Sequence, residues 1–313
     1  MPKTAYNSID HTRCVLMVLV IMVHTVKFGE LYPAVKDFIN FFFMPAFLLL
    51  TGYLVNVEKS PRDFGRYLWK IILPYTVMVT GFACLSTLLP VRDGIGSLTP
   101  AALARALLVT GIGPYWFLHT MVVCGTLYWL AFRLPVRRWA AAVRLGAFGL
   151  LLLATVRLTP LLGGTYALFY FIGAALRTSG ADLRRVLPPS PWALVPFAVL
   201  AAADYARFGV FSVAVLALSF LSFVPWLVEH GLRGRALRWA GFVGRNTFPV
   251  YIFHPVFTML CRFILPPLLA FDASGLLHTA ATVAICLAGS LALALGLDRA
   301  GLSPLLGRRR LLR

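Results

Sequence analysis

The sequence predicts an all-α integral membrane protein with about ten transmembrane helices and with its N- and C-termini in the cytoplasm. Of the 313 residues, 60% are hydrophobic and only 13% are charged, whereas a typical soluble domain carries about 25% charged residues. Apolar segments recur from one end of the chain to the other, and no internal repeat or long polar linker separates them. We therefore expect a single transmembrane domain over residues 1–313.

Each apolar segment approaches the roughly 20 residues that are needed to cross about 30 Å of hydrocarbon. The ten candidate spans cover residues 12–29, 35–57, 67–89, 114–132, 140–156, 161–177, 191–206, 209–228, 246–265 and 275–297. The long loop before the fourth span contains "TPAALARALLV" (99–109). There Thr99 and Pro100 predict the N-cap and first residue of a short interfacial helix.

The distribution of Lys and Arg predicts the orientation, because cytoplasmic loops of membrane proteins carry an excess of both. With ten spans and the N-terminus inside, most of these residues fall on inner loops and in the C-terminal "RRRLLR". The net charge of +18 therefore reflects topology, and we expect no nucleic-acid partner. The five cysteines lie within or beside apolar segments without metal-binding spacing, so we expect no metal and no bound cofactor.

The first span, within "DHTRCVLMVLVIMVHTVKFG" (10–29), contains Arg13 at its start and His24 deep in its far half. Eleven residues at about 100° each place both side chains on one helix face, about 16 Å apart along the axis. Arg13 alone would be explained by a reach for lipid headgroups or by a pair with Asp10. His24 alone would be explained by a structural hydrogen bond. Because ionisable groups inside a membrane are costly, two on one face predict a functional polar path.

Four stretches, in the same order along the chain, resemble the membrane-bound acyltransferase 3 family. "IDHTRCVLMVLVIMVHT" (9–25) resembles its first helix, in which an Arg is followed after ten residues by a His. "FFFMPAFLLLTGYLV" (41–55), "YWFLHTMVVC" (115–124) and "VGRNTFPVYIFHP" (243–255) are similar to its "FHMPLFFFLSGYL", "WFL" and "GRNSLxIYLLHP" helices. Two departures are Phe43, where the family has His, and Thr51-Gly52 in place of Ser-Gly.

The resemblance implies an O-acyltransferase that uses a cytosolic acyl-CoA, with acetyl-CoA as the expected cosubstrate. The implied acceptor is a hydroxyl of a sugar, a cell-envelope polysaccharide or a glycosylated metabolite, and the implied location is the cell (inner or plasma) membrane, with several passes through the bilayer. Histidine suits proton transfer near neutral pH, so we predict that His24 is the base or a transient acyl carrier. Arg13 would position the thioester end of the donor or stabilise the developing oxyanion.

Seven further residues are candidates for substrate binding. They are Asp10, His119, Trp116, Asn246, Tyr251, His254 and Asp37. His119 is predicted at the depth of His24, and Asp37 would orient His24 as a carboxylate orients a catalytic base. His254 precedes Pro255, and a proline inside a helix frees a backbone carbonyl that can line a cavity. His278, near a helix end, is expected at the membrane interface.

Two other functions explain polar residues inside a membrane. One is a transporter or flippase of a polar lipid-linked glycan, although the paired half-repeats of many transporters are absent. The other is an inactive scaffold of a polysaccharide-export complex, in which a change at His24 would have no effect. Consumption of acyl-CoA distinguishes an enzyme from both.

Overall fold

The structure, a computed structural model, describes residues 3–88, 94–133 and 140–313, and most of these residues are helical. No strand occurs in these ranges. Arg92, Arg137 and Arg138, which contribute to the predicted orientation, lie outside the described residues. The predicted all-α class is confirmed for the part of the chain that is described.

Fourteen α-helices follow one another within the described ranges. They are α1 (Lys3–His24), α2 (Val26–Leu31), α3 (Pro33–Leu54), α4 (Pro61–Ser86), α5 (Pro100–Arg105), α6 (Trp116–Arg133), α7 (Ala141–Leu158), α8 (Gly164–Thr178), α9 (Leu183–Val186), α10 (Leu194–Ala202), α11 (Val210–Gly231), α12 (Gly234–Arg245), α13 (Thr247–Ile264) and α14 (Leu276–Arg299). Short 3-10 and π-helical turns connect several of them.

Seven helical segments among the described residues are long and apolar enough to cross a membrane. They are α3, α4, the segment Pro100–Arg133 that ends in α6, α7, α11, α13 and α14. A helix also occupies each of the other three predicted positions. However, α1 carries Asp10, His11 and Arg13 in its first half, while α8 and Pro191–Ala202 are short. The chain is thus a multi-pass membrane protein, and the count of ten spans stays a prediction.

The segment before α6 has the helix start that the sequence predicts, whereas the segment before α13 differs from the prediction. The Oγ1 atom of Thr99 accepts the backbone N–H of Ala102 at 3.1 Å, and Pro100 begins α5, as predicted. The arginine-rich connection before the ninth span, expected as a loop, instead contains α12. This helix is amphipathic, because one side is buried at 240, 243 and 244 while Arg235 and Arg238 are exposed.

The chain divides into two compact units. Unit 1 contains residues 1–47, 182–301 and 310–313, and unit 2 contains residues 48–181 and 302–309. The prediction of a single domain stays a prediction. Arg13, His24 and His254 all belong to unit 1, whereas Trp116 and His119 belong to unit 2.

In unit 1, α1 is surrounded by protein along most of its length. It packs against α11, α12, α13 and α14, and Leu16, Met17 and Ile21 are completely buried. The closest approach is at α12, where a Cβ on Gly244 would overlap the backbone carbonyl of Asp10. Only glycine fits at this crossing, so α12 fixes the position of the polar end of α1.

In unit 2, α3 and α8 cross with their backbones in direct contact. A Cβ on Gly173 would overlap the carbonyl of Leu49, and a Cβ on Gly52 would overlap the carbonyl of Tyr170. Small residues permit such close helix crossings in membranes. The glycine of the second family-like stretch, Gly52, therefore has a packing role.

We predict that Gly173→Ala destabilises the protein by about 1–3 kcal/mol, because the added methyl group forces two backbones apart. Thermal unfolding of the detergent-purified protein measures the change. The control is Gly146→Ala in α7, where an added Cβ meets no atom within 4 Å. Equal melting temperatures for Gly173→Ala and the parent would contradict the tight crossing.

Candidate functional site

Arg13 joins α1 to the start of α13. Its Nη2 atom donates a hydrogen bond to the Oγ1 atom of Thr247 at 2.5 Å. Its Nη1 atom lies 3.7 Å from the Oδ1 atom of Asp10, so the pair predicted three residues apart on α1 is present. The Arg13 side chain keeps 25% exposure, which leaves part of this charged group accessible.

The Asp10 carboxylate lies between two arginines. Besides Arg13, its Oδ2 atom is 3.9 Å from the Nη1 atom of Arg245 at the end of α12, and its side chain is only 5% exposed. A buried carboxylate is tolerated when cations compensate for its lost hydration. These contacts give Asp10 a positioning role toward Arg13, and its predicted contact with substrate stays a prediction.

His24 and His254 form the second part of the site. Their ring centroids are 5.3 Å apart, with the ring planes at 71°, in an edge-to-face arrangement. His24 is the last residue of α1 and half-buried, whereas His254 in α13 is completely buried. The structure thus brings together the predicted catalytic histidine and the predicted binding histidine.

Backbone carbonyls determine the tautomer of both rings. The Nδ1 atom of His24 lies 2.6 Å from the carbonyl oxygen of Val20, and that of His254 lies 2.7 Å from the carbonyl oxygen of Tyr251. Because a carbonyl only accepts hydrogen bonds, Nδ1 carries the proton in each ring. In the neutral rings the lone pair is therefore on Nε2, the atom that can accept a proton.

Pro255 explains why a carbonyl is available to His254. In a regular helix the N–H of residue 255 would bond the carbonyl of Tyr251, but proline has no N–H. The Nδ1–H group of His254 bonds to the Tyr251 carbonyl instead. Pro255 therefore frees a backbone carbonyl, as predicted. The Nε2 atom of His254 is buried and has no hydrogen-bond partner among the described residues. Tyr251 itself is buried, with its ring centroid 5.8 Å from that of His254.

Arg13 and His24 lie on one continuous helix, so their predicted common face holds. The axial separation is about 16 Å. The guanidinium group is held toward Asp10 and Thr247, away from His24. The two groups therefore cannot contact the same reacting atoms.

Asn246 connects the site to the C-terminal segment. Its Oδ1 atom accepts the backbone N–H of Arg313 at 2.7 Å, and its Nδ2 atom donates to the carbonyls of Phe242 and Arg313. The Asp298 carboxylate accepts the N–H groups of Leu311 and Leu312 at 2.7 and 3.0 Å. These structural bonds occupy the amide of Asn246, and its predicted substrate binding stays a prediction.

The location of this segment bears on topology. Asp10 at the start of α1 and residues 310–313 both lie at the α12–α13 junction of unit 1. The N-terminal and C-terminal ends therefore lie close together in unit 1, and that both lie on one side of the membrane, as an even number of spans requires, stays a prediction. That this side is cytoplasmic is a prediction from charge.

The two candidates in unit 2 have structural partners. The Nε2 atom of His119 lies 3.1 Å from the carbonyl of Leu108 and donates to it, which ties α6 to the preceding helical turn. The ring of Trp116 packs on that of Tyr166 with centroids 4.6 Å apart. These contacts explain both residues through packing, and their predicted substrate binding stays a prediction.

Two expectations on outer helix ends need correction. Asp37 is exposed and forms no hydrogen bond or ion pair with the described residues, so it does not orient His24. The Val20 carbonyl does so instead. His278 is not at an exposed interface, because neighbouring helices bury it to 5% exposure.

Thr247, Asp298 and α12 are the parts of the site that sequence reasoning missed. The buried positions 240, 243 and 244 follow a helical period that would have revealed α12. Nothing in the sequence distinguishes Thr247 from other threonines at the start of a helix. The partners of Asp298 are backbone N–H groups, which leave no signal in the sequence.

These features describe a multi-pass helical membrane protein in which a histidine of α1 lies against a histidine of α13, and α1 also carries a partly exposed arginine. A family model described as an acyltransferase domain, that of the acyltransferase 3 family, matches residues 6–296. The chain belongs to this family, and the predicted resemblance to it is confirmed. Comparisons with curated proteins and with solved structures gave no match. The family supports a membrane acyltransferase.

We predict that Asn246→Ala lowers the free energy of unfolding by about 1–3 kcal/mol, because it leaves buried backbone groups without partners. Thermal unfolding in detergent measures this change. Limited proteolysis reports whether the C-terminal segment detaches. Asn40→Ala, at an exposed position of unit 1, is the control and should leave both readouts unchanged. An Asn246→Ala protein as stable as the parent would show that the C-terminal contacts contribute nothing.

Proposed function

We propose that the protein transfers an acyl group, by expectation acetyl, from cytosolic acyl-CoA to a hydroxyl of a sugar, a cell-surface glycan or a glycosylated metabolite. The observation that carries the proposal is the His24–His254 pair, whose neutral rings both have a basic Nε2 atom. Membership of an acyltransferase family supports the reaction class. Donor, acceptor and residue roles are parts of the proposal.

In the direct route, the Nε2 atom of His24 removes the proton of the acceptor hydroxyl as its oxygen attacks the thioester carbonyl. The tetrahedral intermediate collapses, the C–S bond breaks, and the imidazolium returns the proton to the leaving thiolate. The products are the ester and free CoA. The position of His24 at the C-terminal end of α1 favours the transient positive charge, because a helix C-terminus carries a partial negative charge.

In the alternative route, the Nε2 atom of His24 attacks the thioester itself, the CoA thiolate leaves, and the ring becomes an acyl-imidazolium that keeps its Nδ1 proton. The acceptor hydroxyl then attacks this intermediate, and the ester forms as the imidazole leaves. His254 lies close enough to take up the hydroxyl proton in this second step. The two routes differ in one observable, since only the second labels the protein in the absence of acceptor.

Arg13 is proposed to hold the donor at a point remote from the reacting carbonyl. The separation of about 16 Å from His24 argues against oxyanion stabilisation, which needs a donor group about 3 Å from the developing charge. A partly exposed guanidinium group between Asp10 and Thr247 suits an anionic portion of the ligand. The acyl group would then reach His24 from the predicted cytoplasmic side.

The acceptor is proposed to meet the acyl group at the His24 end of α1, toward the predicted outer face. Acetylation of a reporter glycan that is confined to the cytosol would contradict this sidedness. The choice among exopolysaccharide, lipid-linked sugar and secreted metabolite depends on the identity of the labelled product. We further propose the cell (inner or plasma) membrane as the location.

We predict that His24→Ala lowers acyl transfer by at least about 100-fold, the lower range of general-base contributions. Membranes that contain each variant receive isotope-labelled acetyl-CoA. Free CoA and label in extracted glycans and metabolites are then measured. The matched control is His230→Ala, at an exposed ring stacked on Trp226, which should keep full activity.

Equal CoA release from His24→Ala and the parent would remove His24 from the mechanism. No release from either protein, with natural acceptors present, would favour the transporter or scaffold alternatives. Label on the parent protein without acceptor identifies the acyl-imidazole route.

We predict that Arg13→Lys raises KM for acyl-CoA roughly 10- to 100-fold and changes kcat much less, because a charge-assisted hydrogen bond contributes about 1.5–3 kcal/mol. Lysine keeps the charge beside Asp10 but lacks the planar guanidinium fork. Initial rates against acyl-CoA concentration separate the two constants. Arg235→Lys, on the exposed side of α12, is the control. A fall in kcat at unchanged KM would instead place Arg13 at the chemical step.

A further inference from the structure

Unit 2 contains a cavity of about 510 Å³ that is separate in sequence from the histidine site. It lies where the C-terminal ends of α3, α6 and α8 meet the first turn of α7. The charge distribution predicts that this end of the unit faces the cytoplasm. The volume falls in the range of about 300–1,000 Å³ that is typical of small-molecule sites.

The lining of this cavity is strongly positive. Arg133, Arg144 and Arg177 contribute three guanidinium groups, and Glu58 contributes one carboxylate. Among the described residues, none of the three arginines forms an ion pair with a carboxylate within 4.0 Å. Three cations that form no ion pair with the described residues and outnumber the one carboxylate in the lining favour the binding of an anion.

The three arginines have different local roles. The Arg133 guanidinium donates to the backbone carbonyls of Lys59 and Glu58 at 2.8–3.3 Å, and therefore holds the segment after α3 in place. The Arg144 guanidinium lies over the ring of Phe132 at 5.0 Å, and its Nε atom is buried without a hydrogen-bond partner among the described residues. Arg177 is exposed at the end of α8.

The position of Arg144 is not explained by helix electrostatics. Arg133 and Arg177 end their helices, where a cation is favoured, but Arg144 lies near the N-terminal end of α7, where a cation is disfavoured. A buried donor without a partner also costs about 1–3 kcal/mol. A bound anion would remove both penalties.

We propose that this cavity binds a ligand through its phosphate groups, held by Arg144 and Arg177. Guanidinium groups recognise phosphate in a bidentate manner. The cavity is larger than one phosphate, and Val55, Tyr128 and Phe132 provide apolar surface for the rest of the ligand. The phosphate belongs either to an anionic lipid headgroup or to a soluble nucleotide. The site does not depend on the proposed acyl transfer.

The test uses the full chain in nanodiscs and two probes. In the first arm, CoA binding is measured by equilibrium titration in phosphatidylcholine nanodiscs. In the second arm, phosphatidylglycerol is titrated into the nanodiscs, and thermal stabilisation is measured. The double variant Arg144→Gln, Arg177→Gln is compared with Arg157→Gln, which removes an exposed arginine at the opposite end of α7.

We expect the double variant to bind one of the two probes at least 10-fold more weakly than the parent does. The affinity of Arg157→Gln for both probes should stay within twofold of the affinity of the parent. A loss in the first arm identifies a nucleotide phosphate, and a loss in the second identifies a lipid headgroup. The proposal is overturned if the parent binds neither probe, if the double variant binds both as the parent does, or if Arg157→Gln loses as much.

Two controls keep the result interpretable. If the double variant unfolds at a lower temperature, the exposed single change Arg177→Gln carries the test. Each protein is also measured in a version that carries the additional change His24→Ala, so that binding is observed without turnover. Failure of the phosphate site is thereby distinguished from failure of the proposed acyl transfer.

Discussion

The close contact between α12 and α1 is the constraint on which the rest of unit 1 depends. The first half of α1 contains a carboxylate and a guanidinium group that cannot face lipid without a large cost. At Gly244 the α12 backbone lies directly against the carbonyl of Asp10, and Arg245 follows at once as the second cation for its carboxylate. One helix thus provides both the packing surface and the charge that make the polar end of α1 tolerable.

Backbone groups also hold the two histidines, because the Nδ1 atom of each ring bonds to a carbonyl. A ring bonded to a carbonyl has a fixed tautomer, so the basic atom of His24 and that of His254 are both Nε2. At His254 the carbonyl is available because the next residue is proline. A single Pro255 therefore links helix geometry to the tautomer of a buried ring, and the tautomer determines which nitrogen can accept a proton.

Sequence reasoning succeeded where periodicity or backbone chemistry carried the information. The common face of Arg13 and His24 follows from helical geometry, and the carbonyl freed by Pro255 follows from the missing N–H. It failed where the partner of a side chain is a distant backbone atom. No pattern in the sequence indicates that His119 contacts Leu108. The same holds for the contacts of Asn246 and Asp298 with the C-terminal segment.

The helix α12 was missed for a different reason. Its arginines carry the topological signal that marks an inner loop, and that signal masks the helical period of its buried face. Asp37 shows the complementary error, since a carboxylate near the predicted catalytic histidine in sequence suggested an orienting role that the Val20 carbonyl already fills. Charge alone therefore predicts local partners poorly in this chain, and the sidedness that it predicts stays a prediction.

In the proposed mechanism, the arrangement along α1 separates recognition at Arg13 from chemistry at His24. A rigid, buried helix holds the Arg13 guanidinium at the end shared by the two chain ends, and His24 at the other end, about 16 Å away. A ligand that contacts both must extend along the helix, so its anionic part and its reactive part lie at different depths in the membrane. In the proposed reaction this geometry lets a donor that is bound from one side present its acyl group to an acceptor nearer the other. The donor itself then has no need to cross the bilayer.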